Sequence, residues 1–152
     1  MNIINVSIPT RVARPGMTVG EAMQECVDKD VPGIPYVDAE GELNGRFSLR
    51  HLFLLCCIPN DILQGAHLLG DDIEHIDFPR IRADELLQRP VEEFIFPDVI
   101  RLSPHFHSIK ALAIMEQFGT EYLFVTDEGE YRGVVTRMSI ARALVDKKCC
   151  ID

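Results

Sequence analysis

Two stretches of the chain align with one another: IPYVDAEGELNGRFS at residues 34–48 and YLFVTDEGEYRGVVT at residues 122–136. At an offset of 88 residues the glycines Gly41 and Gly45 meet Gly129 and Gly133. Glycines in register matter because each marks a backbone requirement that other residues meet poorly. The repeat therefore predicts that the chain contains two copies of one structural unit.

Each copy is predicted to contain a β-hairpin. The first strands are Ile34–Val37 and Tyr122–Thr126, and an acidic, glycine-containing turn follows each of them. Gly45 and Gly133 fall inside the return strands, where a glycine indicates a bulge or the close approach of another backbone or a ligand.

Helices are predicted on both sides of each hairpin. Thr18 and Glu21 form a capping-box pattern at the start of the first helix. In the second copy Ser108 is the predicted N-cap and Gly119 the predicted C-cap. The other predicted elements are short strands near Thr10–Ala13 and Val99–Leu102, helices at Leu49–Cys57, Met138–Lys147 and Ala83–Gln88, and an imperfect helical stripe from Ile62 to Ile76.

These elements predict an α+β fold made of two tandem βαββα half-modules, related by pseudo-two-fold symmetry, with a helical linker between them. The predicted boundaries are residues 1–58 for the first half-module, 59–89 for the linker and 90–148 for the second.

Composition narrows the functional classes. The net charge of −9 argues against nucleic-acid binding, which needs a basic surface. No apolar run is long enough to span a bilayer, and the first residues lack a signal-peptide pattern, so we expect a cytoplasmic protein away from membranes. The five cysteines have no CxxC spacing and are predicted to be buried or tail thiols in a reducing compartment.

Three motifs and their order resemble a known family. The motifs are VPGIPYVD at residues 31–38, PVEEFIFPDVI at residues 90–100 and GVVTR at residues 133–137. They are similar to signatures of tandem cystathionine-β-synthase-type (CBS) domains, also called Bateman modules. The resemblance covers about 120 of the 152 residues.

The resemblance implies a regulatory module and not an enzyme. Such a module binds an adenosine-containing ligand (AMP, ADP or ATP) in clefts between the copies. It forms a homodimer and acts on a separate, unknown effector protein; neither a required cofactor nor a metal is implied. In the family, a Thr/Ser-x-x-Asp sequence after the return strand provides a hydroxyl for the phosphate and a carboxylate for the ribose.

This chain departs from that pattern in both copies, because His51 and Ser139 stand where the aspartate is expected. A carboxylate accepts charge-assisted hydrogen bonds from both ribose hydroxyls, whereas a neutral side chain accepts one at most. We therefore expect weaker nucleotide binding or a different ligand.

The resemblance implies two unequal clefts. The favoured cleft combines Arg11, Val12, Gly33, Ile34, Pro35, Tyr36, Val134, Thr136, Arg137 and Ser139. A second, weaker cleft combines Ser48, Arg50, His51, Ile100, Arg101, Glu121, Tyr122 and Leu123. The first is favoured because it keeps a threonine hydroxyl, a basic residue and the Gly-Ile-Pro segment.

Two alternatives remain open. The helices Leu49–Ile58 and Ile109–Phe118 carry more apolar residues than one half-module buries, which suits a ligand-free dimerisation module. On a continuous helix His67, Asp71 and His75 would share one face, which would suit a metal-binding module. Motifs for catalysis, such as a phosphate-binding loop or HExxH, are absent from the sequence.

Overall fold

A computed structural model of the chain describes residues 1–58, 64–65 and 82–146. The fold is α+β, as predicted. Its helices are α1 (Val19–Lys29), α2 (Leu49–Cys56), α3 (Ala83–Gln88), α4 (Ser108–Phe118) and α5 (Arg137–Val145), with 3-10 helices at Ile3–Val6 and Val91–Phe94. Its strands are β1 (Gly33–Val37), β2 (Leu43–Ser48), β3 (Ile95–Phe96), β4 (Arg101–Leu102), β5 (Tyr122–Asp127) and β6 (Glu130–Thr136). Apart from residues 64–65, the predicted stripe from Ile62 to Ile76 lies outside the described residues, and the predicted domain boundaries stay a prediction.

The strands form two three-stranded sheets. In the first sheet, β2 lies between β1 and β3 and is antiparallel to both. In the second sheet, β5 lies between β4, which is parallel to it, and β6, which is antiparallel. Each sheet therefore contains one of the two hairpins predicted from the repeat.

The two copies exchange their leading segments. Phe96 pairs with Arg46, so β3 extends the hairpin of the first copy. In the same way Ile8 pairs with Val134 of the second copy. Both pairs obey the offset of 88, since Ile8 corresponds to Phe96 and Arg46 to Val134. The pairing is thus the same exchange made twice, as pseudo-two-fold symmetry requires.

The glycines in the return strands make this exchange possible. A Cβ built on Gly45 lies 2.5 Å from Cγ2 of Ile95 and 2.9 Å from the carbonyl oxygen of Phe96. A Cβ on Gly133 lies 3.0 Å from the carbonyl oxygen of Ile8. The sequence predicts a bulge, or the close approach of another backbone or a ligand, at these glycines. Another backbone comes close at both positions. Register shifts opposite both glycines add a bulge.

The exchange also builds the two hydrophobic cores. Val91 and Phe94, which precede β3, belong to the core beneath the first sheet. Ile3 and Val6 belong to the core of the second sheet. Because these side chains are buried against the other copy, neither half-module completes its core alone.

The N-cap predicted from the sequence is confirmed at α1 and is wrong at α4. Thr18 caps α1 by accepting a hydrogen bond from the Glu21 amide at 3.2 Å. The prediction that Ser108 caps α4 is wrong: its hydroxyl donates to the carbonyl oxygen of Met1 at 3.1 Å. His107 is the N-cap, and its Nδ1 accepts from the Ile109 amide at 3.1 Å. The Ser108 hydroxyl therefore bonds to the exchanged N-terminal segment and does not cap the helix.

Within the described ranges, no helix has the length and apolar character needed to cross a membrane.

Candidate functional site between the two copies

Two adjoining cavities lie where the first copy meets the second. The larger has a volume of about 510 Å³ and is lined by Arg46, Asp98, Val99, Ile100, Phe118, Thr120, Tyr122 and Phe124. The smaller has a volume of about 280 Å³ and is lined by Arg46, Ser48, Arg50, His51, Phe118, Gly119, Thr120, Glu121 and Tyr122. Four residues line both cavities, so we treat the adjoining pair as one site, which we call the Arg46–Tyr122 site.

Tyr122 forms the wall shared by the two cavities. Its hydroxyl accepts a hydrogen bond from Nη1 of Arg46 at 3.3 Å, and that guanidinium lies 5.6 Å from the ring centroid. Gly33 makes room for the ring, because a Cβ there would lie 2.6 Å from the Tyr122 hydroxyl. Burial raises the pKa of Tyr122, so the phenol stays a neutral hydrogen-bonding group.

The smaller cavity is basic. β2 supplies Arg46, and the first turn of α2 supplies Arg50 and His51. The His51 ring lies against Phe96, with centroids 4.2 Å apart. Desolvation, followed by the charges of Arg46 and Arg50, lowers the pKa of His51 from its ordinary 6.5, while Asp98 opposes them. A neutral imidazole, two guanidiniums and the acidic residue Glu121 therefore line this cavity.

Two nitrogens of this site lack partners among the described residues. Nε of Arg46 and Nδ1 of His51 are both buried and make no hydrogen bond to any part of the chain that the structure describes. Buried polar atoms are normally paired, and an unpaired one costs about 1–3 kcal/mol. Both residues therefore carry an unsatisfied polar atom beside the cavity that they line.

The cleft favoured from the sequence looks different. Thr136 and Ser139 are buried and form a complete capping box at the start of α5. The Thr136 hydroxyl accepts from the Ser139 amide at 2.9 Å, and the Ser139 hydroxyl accepts from the Thr136 amide at 3.0 Å. Arg137 donates to Glu116 at 3.1 Å. The polar groups expected to hold a ligand there are engaged within the protein.

The other residues of the favoured cleft are spread over different environments. Ile34 and Val134 are fully buried in the first core, and Pro35 and Tyr36 continue the β1 strand. Arg11 and Val12 line a separate cavity of about 510 Å³, together with Thr10, Arg14, Met17, Val37, Gly41, Leu43, Gly129, Glu130 and Tyr131. Arg11 therefore lines a cavity beside the two hairpin turns, which contain Gly41 and Gly129. A ligand in this cleft stays a prediction.

The second cleft is brought together more closely. Ser48, Arg50, His51, Glu121 and Tyr122 line the smaller cavity, and Ile100 lines the larger one. Leu123 instead belongs to the core of the second sheet, and Arg101 is exposed in β4.

Sequence reasoning missed Arg46, Asp98 and Val99 as site residues. The repeat itself contains the signal for them. Applying the offset of 88 to Val134 and Arg11, which were assigned to the first cleft, gives Arg46 and Val99. The equivalent of Asp98 is Thr10, at the edge of that same segment.

The metal hypothesis gains no support in the described ranges, which contain no group of three His, Cys, Asp or Glu side chains placed to hold an ion. His67, Asp71 and His75 lie outside the described residues. Cys26 is buried as predicted, and Cys56 and Cys57 are partly buried.

Comparison with known proteins supports the same fold. Residues 91–146 match the family model for the CBS domain. The chain superposes on CBSX2, solved in complex with AMP, with a TM-score of 0.63 and 20% identity, covering 97% of this chain and 98% of that one. It superposes on a CBS domain-containing protein of unknown function from Kribbella flavida with a TM-score of 0.65 and 17% identity, covering 95% and 99%.

A curated relative shares sequence as well. The chain is 25% identical over 139 residues to the A-adding tRNA nucleotidyltransferase of Aquifex aeolicus. The match covers 91% of this chain but spans only 14% of that protein.

Residues 91–146 thus match the CBS domain, and over nearly its whole length the chain has the fold of solved CBS-domain proteins.

Proposed function

We propose that this protein is a regulatory module that binds an adenosine-containing ligand such as AMP, ADP or ATP in the Arg46–Tyr122 site. It is not an enzyme in this proposal; it acts as a cytoplasmic homodimer whose shape is read by a separate effector protein. The observation that carries the proposal is the junction of an apolar, aromatic-walled cavity with a basic one.

The larger cavity suits a nucleoside. Val99, Ile100, Phe118 and Phe124 provide apolar surface for a base, since ligand sites are mostly apolar with a few placed polar groups. The carboxylate of Asp98 lines the same cavity. It is able to accept from ribose hydroxyls, which replaces the aspartate that α2 lacks.

The smaller cavity suits a phosphate. Arg46 and Arg50 supply guanidiniums, which bind phosphate through paired charge-assisted hydrogen bonds. The equivalent positions in the second copy are Val134 and Met138, which carry no charge. At these two positions the Arg46–Tyr122 site carries charges that the other copy lacks, although Arg11 and Arg14 line the separate cavity beside the hairpin turns.

A solved structure of similar fold is compatible with this ligand class. CBSX2, which shares the fold over nearly the whole chain, was solved with AMP. At 20% identity this supports the fold, and the ligand of the present protein rests on the cavity residues named above.

A second function, ligand-free dimerisation, is favoured by a separate observation. Phe53, Leu55 and Ile58 of the α2 region are 43%, 62% and 39% exposed. Ile109 and Phe118 of α4 are 52% and 64% exposed. Apolar side chains exposed to this extent are typical of surfaces that pack against another chain.

A thermal-shift screen separates the two functions. AMP, ADP and ATP are added at millimolar concentration to the wild type and to Asp98→Asn. A ligand that binds the folded state raises the melting temperature according to its concentration relative to Kd. The proposal predicts a rise in the wild type that shrinks in the variant. The absence of any rise, with a stable dimer in analytical ultracentrifugation, would support dimerisation alone.

A further inference from the structure

The imidazole of His51 occupies an unusual place in the Arg46–Tyr122 site. It lines the basic cavity, stacks on Phe96, and has a buried Nδ1 that lacks a partner among the described residues. Residue 51 is also the position at which the resemblance to CBS domains predicts an aspartate. This chain instead carries there a side chain that can gain a proton near physiological pH.

We propose that His51 makes ligand binding proton-linked: a phosphate group entering the basic cavity draws a proton onto the imidazole, so affinity rises as the solution becomes more acidic. This inference rests on the proposed function, because it concerns the same site. It adds a regulatory property, a response to pH that accompanies the response to ligand concentration.

The charges around His51 determine the direction of this linkage. Arg46 from β2 and Arg50 from α2 are positive, whereas Asp98 before β4 and Glu121 before β5 are negative; Tyr122 is a neutral phenol. In the empty site, burial and the two arginines disfavour a third positive charge. A bound phosphate brings up to two negative charges beside them, which reverses the local balance and favours the imidazolium.

A proton gained by His51 would add a hydrogen-bond donor to the imidazole ring. An imidazolium donates from both ring nitrogens, whereas a neutral imidazole donates from one and accepts at the other. Nδ1 is buried, while the residue as a whole lines the cavity. Protonation therefore makes a donor of whichever ring nitrogen faces a bound phosphate. The Phe96 face beside the ring also favours the cationic form.

Isothermal titration calorimetry of AMP at pH 7, in buffers with different ionisation enthalpies, measures the protons taken up on binding. We expect net proton uptake by the wild type and none beyond the ligand's own in His51→Gln. As pH falls from 8 to 6, the wild type should gain affinity relative to His51→Gln. The gain is at most about tenfold for each unit by which the bound ligand raises the pKa of His51. His105→Gln, at an exposed position away from the cavities, is the matched control and should behave as the wild type.

The outcomes separate this inference from the proposed function. AMP binding with the same proton uptake in the wild type and His51→Gln would overturn proton linkage and leave the nucleotide site intact. Inorganic pyrophosphate serves as a second probe, because it needs only the basic cavity. If neither AMP nor pyrophosphate binds at millimolar concentration, both the site and its linkage are refuted. NMR spectra check that the protein is folded. An NMR titration of the His51 ring should give a higher pKa with pyrophosphate than without it.

Discussion

Ile8 and Val134 lie on adjacent strands that come from different copies of the repeat, joined by reciprocal backbone hydrogen bonds of 2.8 and 2.9 Å. The equivalent pair in the other half is Phe96 and Arg46. Because Arg46 pairs with Phe96, the strand exchange places Arg46 at the junction between the copies. The strand exchange that completes the fold therefore also positions the principal basic residue of the site.

Replacing the glycines in the return strands should destabilise the protein. In Gly45→Ala the new methyl group would meet Ile95 and Phe96 of the exchanged strand at less than 3 Å. Overpacking of this kind costs about 1–3 kcal/mol of unfolding free energy, measurable by urea denaturation. Gly133→Ala should cost less, because its contacts are 3.0 Å. Gly65→Ala, where no atom of the described residues lies within 4 Å, is the control; equal losses in all three would contradict the strand-exchange explanation.

The capping box of α5 should be structural. Thr136→Ala removes the acceptor of the Ser139 amide, and loss of an N-cap costs about 0.5–2 kcal/mol. The equivalent residue Ser48 precedes α2 without making a side-chain cap hydrogen bond, so Ser48→Ala should cost less. Thermal denaturation of the two variants compares them directly. A larger loss in Ser48→Ala would show that the assignment of the caps is wrong.

Stability in the absence of ligand should depend on His51 and pH. The pKa of His51 lies below 6.5 in the folded state, so between these two pKa values the unfolded chain binds more protons. His51 therefore contributes stability that is present above pH 6.5 and is lost as pH falls through the folded-state pKa. Urea midpoints at pH 7.5 and 5.5 should differ more in the wild type than in His51→Gln. An identical pH dependence in the two proteins would argue that the folded-state pKa of His51 is unchanged.

Cys26 should be unreactive in the native protein. Burial, together with the neighbouring Glu25 charge, raises the pKa of its thiol to about 12. Because the thiolate is the nucleophile, iodoacetamide at pH 8 should label Cys26 only after denaturation, as peptide mass spectrometry would show. Cys57, which is less buried, should react sooner. Rapid native labelling of Cys26 would indicate that the first core opens readily.

The repeat predicted much of the fold because its signals are local. Glycine spacing, alternation and caps such as Thr18 depend on residues close in sequence, and they specified the hairpins and most helix ends. The exchange of Ile3–Val6 and Val91–Phe94 was not predicted, because pairing with the other copy depends on contacts between residues far apart in sequence, such as Ile3 with Phe106 and Val91 with Met17. Sequence alone also could not show that Ser108 would bond to Met1.

The candidate site, like the fold, was predicted only in part from the sequence. The resemblance to CBS domains directed attention to both clefts, but motif quality favoured the one that contains Thr136. The structure shows that the Thr136 and Ser139 hydroxyls bond to each other's backbone. Motif comparison cannot distinguish a hydroxyl that caps its own helix from one available to a ligand. The charge difference between Arg46 and its equivalent Val134 was visible in the sequence, but only the cavity gave it a role.

Calorimetric titration of AMP into two matched variants tests the central claim most directly. Arg50→Ala and Arg137→Ala each remove an exposed arginine from the first turn of a helix that follows a hairpin, one in each copy. Loss of a charge-assisted hydrogen bond worth about 1.5–3 kcal/mol should weaken AMP binding about ten- to a hundredfold in Arg50→Ala. Arg137→Ala should bind as the wild type does. Loss of binding in Arg137→Ala, with wild-type affinity in Arg50→Ala, would contradict the account and place the ligand in the other cleft.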